Sequence, residues 1–212
     1  MPRLIETESR TDTVVVAINH LLARDGATGL SIRAIAQQSR VSASSLLHHY
    51  GNREHLLRIA AVRTGRARVG QIDNQAWRHG PLAFLPLQAD DVVDARAWLA
   101  WLELWRSEDS LAEAIGNARL DERALLAEMV DYRLERDQLD AVTALIDGLL
   151  TAVCAPQRPM PLDRARTILG ATIDTVTTRS EGAAETAERH DLEAEFAVVR
   201  NRSRRWRDRA TS

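Results

Sequence analysis

The sequence predicts an all-α protein, in which a three-helix amino-terminal domain with a helix-turn-helix is followed by a helical bundle. Apolar residues recur at helical spacing along most of the 212 residues. Ser, Asn or Asp residues stand where several of these helices would begin, and no segment alternates apolar and polar residues as a half-buried strand would. No apolar run approaches the roughly 18 residues that would indicate a membrane span. We therefore expect a soluble helical protein of one or two domains.

Residues 31–57 have the spacing of two short helices joined by a tight turn. Ser31 and Ser42 can cap the two helices. Leu46 lies ten positions after the small residue Ala36. At this spacing the Leu46 side chain would pack between the two helices and fix the angle between them. A second helix of about seven or eight residues is roughly 12 Å long, which fits the major groove of DNA. This pattern predicts a DNA-reading helix-turn-helix; a helical hairpin without a role in DNA binding is the alternative.

The face that the second helix leaves outward is short and hydrogen-bonding, as base edges and phosphates require. On this face Ser44, Ser45 and His48 are placed to reach base edges, while the amino end of the helix is placed to hold phosphates. The candidate DNA-binding residues from this pattern are Ser31, Arg33, Ser42, Ala43, Ser44, Ser45, Leu47, His48 and His49.

At these residues the chain resembles the TetR family of one-component transcriptional repressors, and the segment YGNREHLL continues the resemblance. The segments AWLAWLELW, ALIDGLL and PLDRAR are most similar to the BetI-type, choline-responsive branch. The resemblance spans most of residues 10–178. It implies that residues 42–50 form the recognition helix and that Arg53 stands at the position of a phosphate-binding Lys. Two residues depart from the family pattern: Arg40 replaces a Gly of the turn, and Leu47 replaces a Tyr that touches a phosphate in many members.

Charge divides the chain into two parts. Residues 1–70 carry 10 Arg against 5 acidic residues, a balance of +5. Residues 71–212 carry 18 Arg against 25 acidic residues, a balance of −7. A basic amino-terminal part joined to an acidic remainder is expected when only the first part contacts phosphates.

We expect a DNA-binding domain over residues 1–70, an effector-binding and dimerisation domain over residues 71–179, and an extension over residues 180–212 with an amphipathic helix and an Arg-rich end. Two helices of the second domain carry apolar stripes that would form a four-helix interface in a homodimer. The candidate interface residues are Leu145, Ile146, Leu149, Val153, Ile168, Leu169, Ile173 and Val176. Burial of both stripes inside one chain is the alternative.

Three tryptophans, Trp98, Trp101 and Trp105, share one face of one predicted helix. Asp94 and Glu108 continue the spacing at both ends, so an aromatic wall with acidic ends is possible, which suits an organic cation. Packing of the indoles in a core is the alternative. The candidate ligand-binding residues are Phe84, Asp94, Trp98, Trp101, Trp105 and Met129.

Catalytic signatures are absent from the sequence, which has no Gly-rich phosphate loop, no Gly-x-Ser-x-Gly elbow and no His-Glu-x-x-His pair. We expect no cofactor and no metal ion, and, without a signal segment, a cytoplasmic location. These observations predict a homodimeric repressor that binds an inverted-repeat operator in double-stranded DNA and is released by a small molecule, with an organic cation as first candidate. The alternatives are an architectural DNA-binding protein without an effector and, least supported, an all-α enzyme.

Overall fold

A computed structural model of the chain describes residues 2–180, 191–197 and 199. Its helices are α1 (Pro2–Asp25), α2 (Ile32–Ser39), α3 (Ala43–Tyr50), α4 (Arg53–His79), α5 (Val92–Trp105), α6 (Ala112–Met129), α7 (Arg136–Cys154) and α8 (Leu162–Ser180). Residues 191–197 and 199 are also helical. The described residues contain no strand, which confirms the predicted all-α fold class. No helix within these ranges is long and apolar enough to cross a membrane.

The chain divides into two compact units. The first comprises Met1–Arg68 and Ala89–Asn117, and the second comprises Val69–Gln88 and Ala118–Ser212. The tryptophan-bearing helix α5 thus clusters with the helix-turn-helix, whereas the division expected from the sequence placed it in the second domain. The functional division at residue 70 remains a prediction.

The first unit is built around α1, which packs against α2 and α5. Ile18 and Leu22 of α1, Ile35 of α2 and Leu57 of α4 are among its fully buried side chains. Burying a side chain of this size contributes about 1.5–3 kcal/mol, so these apolar contacts are the main force that holds the short helices in place.

Both caps predicted for the helix-turn-helix are present. Ser31 Oγ accepts a hydrogen bond from the Ala34 N–H at 3.2 Å, and Ser42 Oγ accepts one from the Ser45 N–H at 3.1 Å. Caps of this kind typically contribute about 1 kcal/mol each. Leu46 is buried, as the spacing predicted. Local sequence therefore determines where α2 and α3 begin.

The turn between α2 and α3 depends on one left-handed residue, Arg40, with φ 57° and ψ 29°. The N–H of Val41 donates to the carbonyl of Ala36 at 3.1 Å, and the N–H of Arg40 donates to the carbonyl of Gln37 at 3.4 Å. These two bonds form the Schellman ending of a helix, for which Gly is the usual residue. A side chain in this conformation costs about 1 kcal/mol relative to Gly. The turn therefore keeps the geometry that Gly would give it, although Arg40 makes it less stable.

The second unit contains α7 and α8, which pack against each other. Arg119 joins α6 to α7, because its Nη2 lies 2.5 Å from Asp147 Oδ2 of α7. Within α6, its Nη1 lies 2.9 Å from Glu122 Oε2. Burial acts to lower the pKa of Arg119, but the charges of Glu122 and Asp147 outweigh it and hold this pKa above its ordinary value. The guanidinium therefore stays charged inside a partly buried cluster.

The carboxy-terminal extension packs by its apolar side. Leu192, Phe196 and Val199 are buried, and Arg136 Nη2 lies 2.8 Å from Glu195 Oε2. Residues 191–197 and 199 of the predicted amphipathic helix are helical. The Arg-rich end expected after it lies outside the described residues.

Candidate nucleic-acid interface

The inward side of α3 fixes the orientation of this helix. Leu46 and Tyr50 are buried, and the Tyr50 hydroxyl donates a hydrogen bond to Thr11 Oγ1 of α1 at 3.2 Å. A buried hydrogen bond contributes about 1 kcal/mol net, and it also restricts rotation of α3 about its own axis. The opposite side of α3 is consequently held outward.

The outward side of α3 carries the hydroxyl and imidazole groups that the sequence predicted for DNA contact. The exposed candidates are Ser31, Arg33, Ser42, Ala43, Ser44, Ser45, Leu47, His48 and His49. Hydroxyl and imidazole groups can both donate and accept hydrogen bonds, as base edges in the major groove require. Leu47 is 43% exposed, and an exposed apolar side chain here can contact the methyl group of a thymine.

Three serines are linked at the beginning of α3. Ser42 Oγ lies 3.1 Å from Ser44 Oγ, and it donates to Ser45 Oγ at 2.8 Å. These bonds hold the hydroxyls close to the amino end of the helix, where backbone N–H groups and the helix dipole favour a negative charge. The amino end of α3 therefore has the composition of a phosphate-contacting surface.

Arg53, which the resemblance placed at a phosphate, is engaged by a carboxylate of the same chain. Its Nη1 lies 2.9 Å and 3.1 Å from the two carboxylate oxygens of Glu108. Arg53 begins α4, whereas Glu108 follows the end of α5 at Trp105. Sequence reasoning missed this pairing because the two residues are 55 positions apart. Glu108 is therefore paired with Arg53, whereas the sequence placed it at one end of the aromatic wall.

A groove of about 330 Å³ lies beside α3 within the first unit. The residues that line it are Arg10, Val14, Arg40, Val41, Ser42, Ser45, Leu46, His49 and Tyr50. Arg10 comes from α1, so no local motif could have assigned it to this surface. The groove shares Ser42, Ser45 and His49 with the predicted DNA-contacting residues.

The three tryptophans of α5 have different surroundings. Trp98 and Trp101 are 1% and 0% exposed, whereas Trp105 is 37% exposed. Trp101 Nε1 donates to Asn19 Oδ1 of α1 at 2.9 Å, as expected for a core tryptophan. Trp98 Nε1 is buried without a hydrogen-bond partner among the described residues, and the Arg68 guanidinium lies 5.2 Å from its ring centroid.

The remaining ligand candidates are divided between the two units. Asp94 is exposed on α5 in the first unit. Phe84 and Met129 belong to the second unit, where Phe84 is buried and Met129 is half-buried. The assignment of these residues to a ligand site remains a prediction.

The predicted interface residues of α7 and α8 are partly covered within one chain. Those that are buried are Ile146, Leu149, Val153, Leu169 and Ile173. Leu145, Ile168 and Val176 keep intermediate exposure. Apolar burial inside the chain, the alternative stated for these stripes, thus accounts for five of the eight.

Comparisons with known proteins agree with this interface. Residues 14–59 match the family model for bacterial regulatory proteins of the tetR family. The chain is 26% identical over 210 residues to the HTH-type transcriptional regulator PksA of Bacillus subtilis (strain 168), covering 90% of this chain and 100% of that protein. It is similar in fold, with a TM-score of 0.68 and 19% identity, to a transcriptional regulator from Rhodococcus sp. Rha1, covering 80% of this chain and 96% of that one. The family model and the similarity to PksA support a DNA-binding transcriptional regulator, and the Rhodococcus structure supports the fold.

Proposed function

We propose that this TetR-family transcriptional regulator is a homodimeric repressor that a small molecule releases from an inverted-repeat operator. The observation that carries the proposal is the exposed polar side of α3, held outward by buried Leu46 and Tyr50. This eight-residue helix fits the major groove, and its serines and histidines are exposed at the surface of the chain.

Dimerisation through α7 and α8 is the proposed assembly. Ala144, Leu145 and Gly148 on α7, and Ile168 and Ala171 on α8, lie at the surface or are only half-buried. Small side chains allow two helices to approach closely, and a pair of helices from each subunit would give a four-helix interface. A two-fold dimer reads two half-sites about 34 Å apart, which is why we propose an inverted repeat.

The proposed effector is an organic cation that binds at the face of Trp98. A guanidinium already lies over this indole, so the ring is placed to attract positive charge. A choline-like ion would replace Arg68 there, and its own contact with the ring, worth about 0.5–2 kcal/mol, would offset the loss of the Arg68 contact. A neutral apolar ligand is the competing possibility, because Trp98 is also surrounded by core side chains.

Release of DNA is proposed to act through the Arg53–Glu108 ion pair. Glu108 neutralises the charge of Arg53 through contacts to Nη1, so the carboxylate competes with a phosphate for this guanidinium. A ligand that stabilises this paired arrangement would therefore favour the conformation with lower operator affinity. Typical coupling of about 1–3 kcal/mol would lower operator affinity 5- to 150-fold.

Selection of bound sequences from random double-stranded DNA tests the proposed function. Recovery of an inverted repeat with two half-sites one helical turn apart supports a dimeric, sequence-specific regulator. Enrichment of DNA without any shared sequence would instead indicate architectural binding. If the purified chain retains no DNA at low salt, the proposal is wrong.

A further inference from the structure

Arg40, in the turn of the helix-turn-helix, destabilises the turn by its left-handed backbone. No hydrogen bond or ion pair of its side chain with the described residues offsets this destabilisation. Arg40 is exposed and left-handed, and its guanidinium has no hydrogen-bond or ion-pair partner among the described residues. Gly would adopt the same conformation without the crowding of a Cβ. Strained residues that persist at a surface are a reason to look for a function of the side chain.

A second arginine lies at the same groove. Arg10 of α1 and Arg40 both line the groove beside α3, together with Ser42 and Ser45. Arg10 is exposed and, within the described part of the chain, also has no hydrogen-bond or ion-pair partner. Two arginines and two serines thus line one groove at the amino end of the recognition helix.

Acidic groups do not neutralise this groove. Its described lining residues include neither Asp nor Glu. Other arginines of the same unit do pair with carboxylates: Arg53 with Glu108, and Arg63 with Asp12. Because Arg10 and Arg40 have no such carboxylate partner among the described residues, the groove keeps a local positive charge. A positive groove of this size beside a DNA-reading helix fits a phosphate group.

We propose that Arg40 and Arg10 hold one backbone phosphate of the DNA and thereby set the position of α3 in the major groove. The inference rests on the proposed function and deepens it, because it assigns a phosphate contact that the Arg53 assignment does not include. Arg40 is a positioning residue here: its guanidinium binds phosphate whatever the base sequence, and its left-handed backbone keeps it beside the end of α3.

The experiment compares Arg40→Gln with Arg40→Lys in the full chain. Both variants keep a long side chain on the same left-handed backbone, and only the Lys variant keeps the charge. The probe is a fluorescently labelled duplex of random sequence, titrated at several salt concentrations, because its binding reports backbone contacts. We expect Arg40→Gln to lower the slope of log affinity against log salt by about one per subunit, while Arg40→Lys keeps the wild-type slope.

Arg40→Gly and Arg158→Gly separate backbone strain from DNA contact. Arg158, in the connection between α7 and α8, is also exposed and left-handed, with φ 54°. Both glycine variants should keep or raise Tm, by up to about 4 °C. Only Arg40→Gly should lose affinity for the duplex.

The outcomes distinguish this inference from the proposed function. The assignment of Arg40 would be overturned if Arg40→Gln kept the wild-type affinity and salt slope. It would also be overturned if Arg158→Gly lost as much DNA binding as Arg40→Gly. Neither result would overturn the proposed function. Failure of the wild-type chain to bind any duplex would overturn the proposed function and this inference with it.

Discussion

Arg53 illustrates how one residue can have two partners that exclude each other. Its side chain is 37% exposed and that of Glu108 is 22% exposed, so water still screens their ion pair. Partly exposed ion pairs typically contribute only about 0–1 kcal/mol to stability. Exchange of the carboxylate for a DNA phosphate therefore costs little, and such an exchange is compatible with regulation.

Glu108→Gln should strengthen DNA binding. Removing the carboxylate charge frees Arg53 for a phosphate, so affinity for duplex DNA should rise and the salt slope should steepen by up to about one per subunit. Fluorescence anisotropy at several salt concentrations measures both. Arg53→Ala should weaken binding to every sequence alike, and Glu108→Gln should have no effect in the Arg53→Ala background. An increase that persists in that background would show that Glu108 acts on another residue.

Trp98 and Trp101 form a matched pair for a second prediction. Each Trp→Phe substitution replaces a buried indole by a smaller ring and should destabilise the fold by leaving a cavity. Trp98 Nε1 has no hydrogen-bond partner among the described residues, whereas Trp101→Phe also removes the bond to Asn19, so Trp101→Phe should lower the free energy of unfolding by about 1 kcal/mol more than Trp98→Phe. Urea unfolding of both variants is the measurement, and equal costs would contradict the distinction between the two indoles.

At the scale of elements, short-range patterns decide the individual helices and long-range contacts decide their packing. The caps Ser31 and Ser42 mark where α2 and α3 begin, and both follow from local sequence. The contacts of α1 with α5, and of α7 with α8, depend on which apolar side faces which neighbour.

Arg119→Met should destabilise the second unit. The substitution removes the guanidinium that neutralises Glu122, a residue only 3% exposed, and loss of one partner from a buried ion pair costs about 3–5 kcal/mol. The measurement is a thermal unfolding scan. Arg119→Met with Glu122→Gln should recover part of the loss, because the buried charge is gone. No recovery would mean that packing around Arg119, rather than charge, determines its contribution.

Leu145→Arg should break the proposed dimer. The charge would be buried against the partner subunit without an opposite charge, so sedimentation should show monomers and affinity for the operator should fall. Gln157→Arg, at an exposed position of the α7–α8 connection, introduces the same charge as a control and should leave the dimer intact. A dimer that survives Leu145→Arg would place the interface on another surface.

At the scale of the whole molecule, the proposed release from DNA requires that DNA binding and effector binding depend on the same conformational equilibrium. A ligand shifts such an equilibrium only by the difference between its affinities for the two states. The tryptophan-bearing helix α5 belongs to the same compact unit as the helix-turn-helix, and Glu108 directly follows it. An effector at Trp98 would thus act within the unit that reads DNA.

Choline-like cations should release the protein from its selected operator. The expected loss of operator affinity is 5- to 150-fold, for a coupling of about 1–3 kcal/mol. Anisotropy of the operator duplex reports release, and intrinsic tryptophan fluorescence reports binding. Trp98→Phe should reduce the response to the cation. Release by apolar compounds, with no response to cations, would contradict a cation site and favour a neutral effector.

The sequence by itself determined the all-α class, the position of the helix-turn-helix, the two caps, and the outward set of serines and histidines on α3. These features follow from helical periodicity and from hydrogen bonds between residues only three or four positions apart. The left-handed turn at Arg40 was also visible locally, because the residue replaces a Gly of the motif.

The tertiary structure alone decided which distant groups meet. The bond from Trp101 to Asn19 joins residues 82 positions apart, and the ion pair of Arg53 with Glu108 joins residues 55 positions apart. Helical periodicity places a side chain on a face, but it does not say which neighbour covers that face. For this reason the sequence could not predict that Trp98 and Trp101 are buried in the first unit, or that Arg53 forms an ion pair with a carboxylate of the same chain.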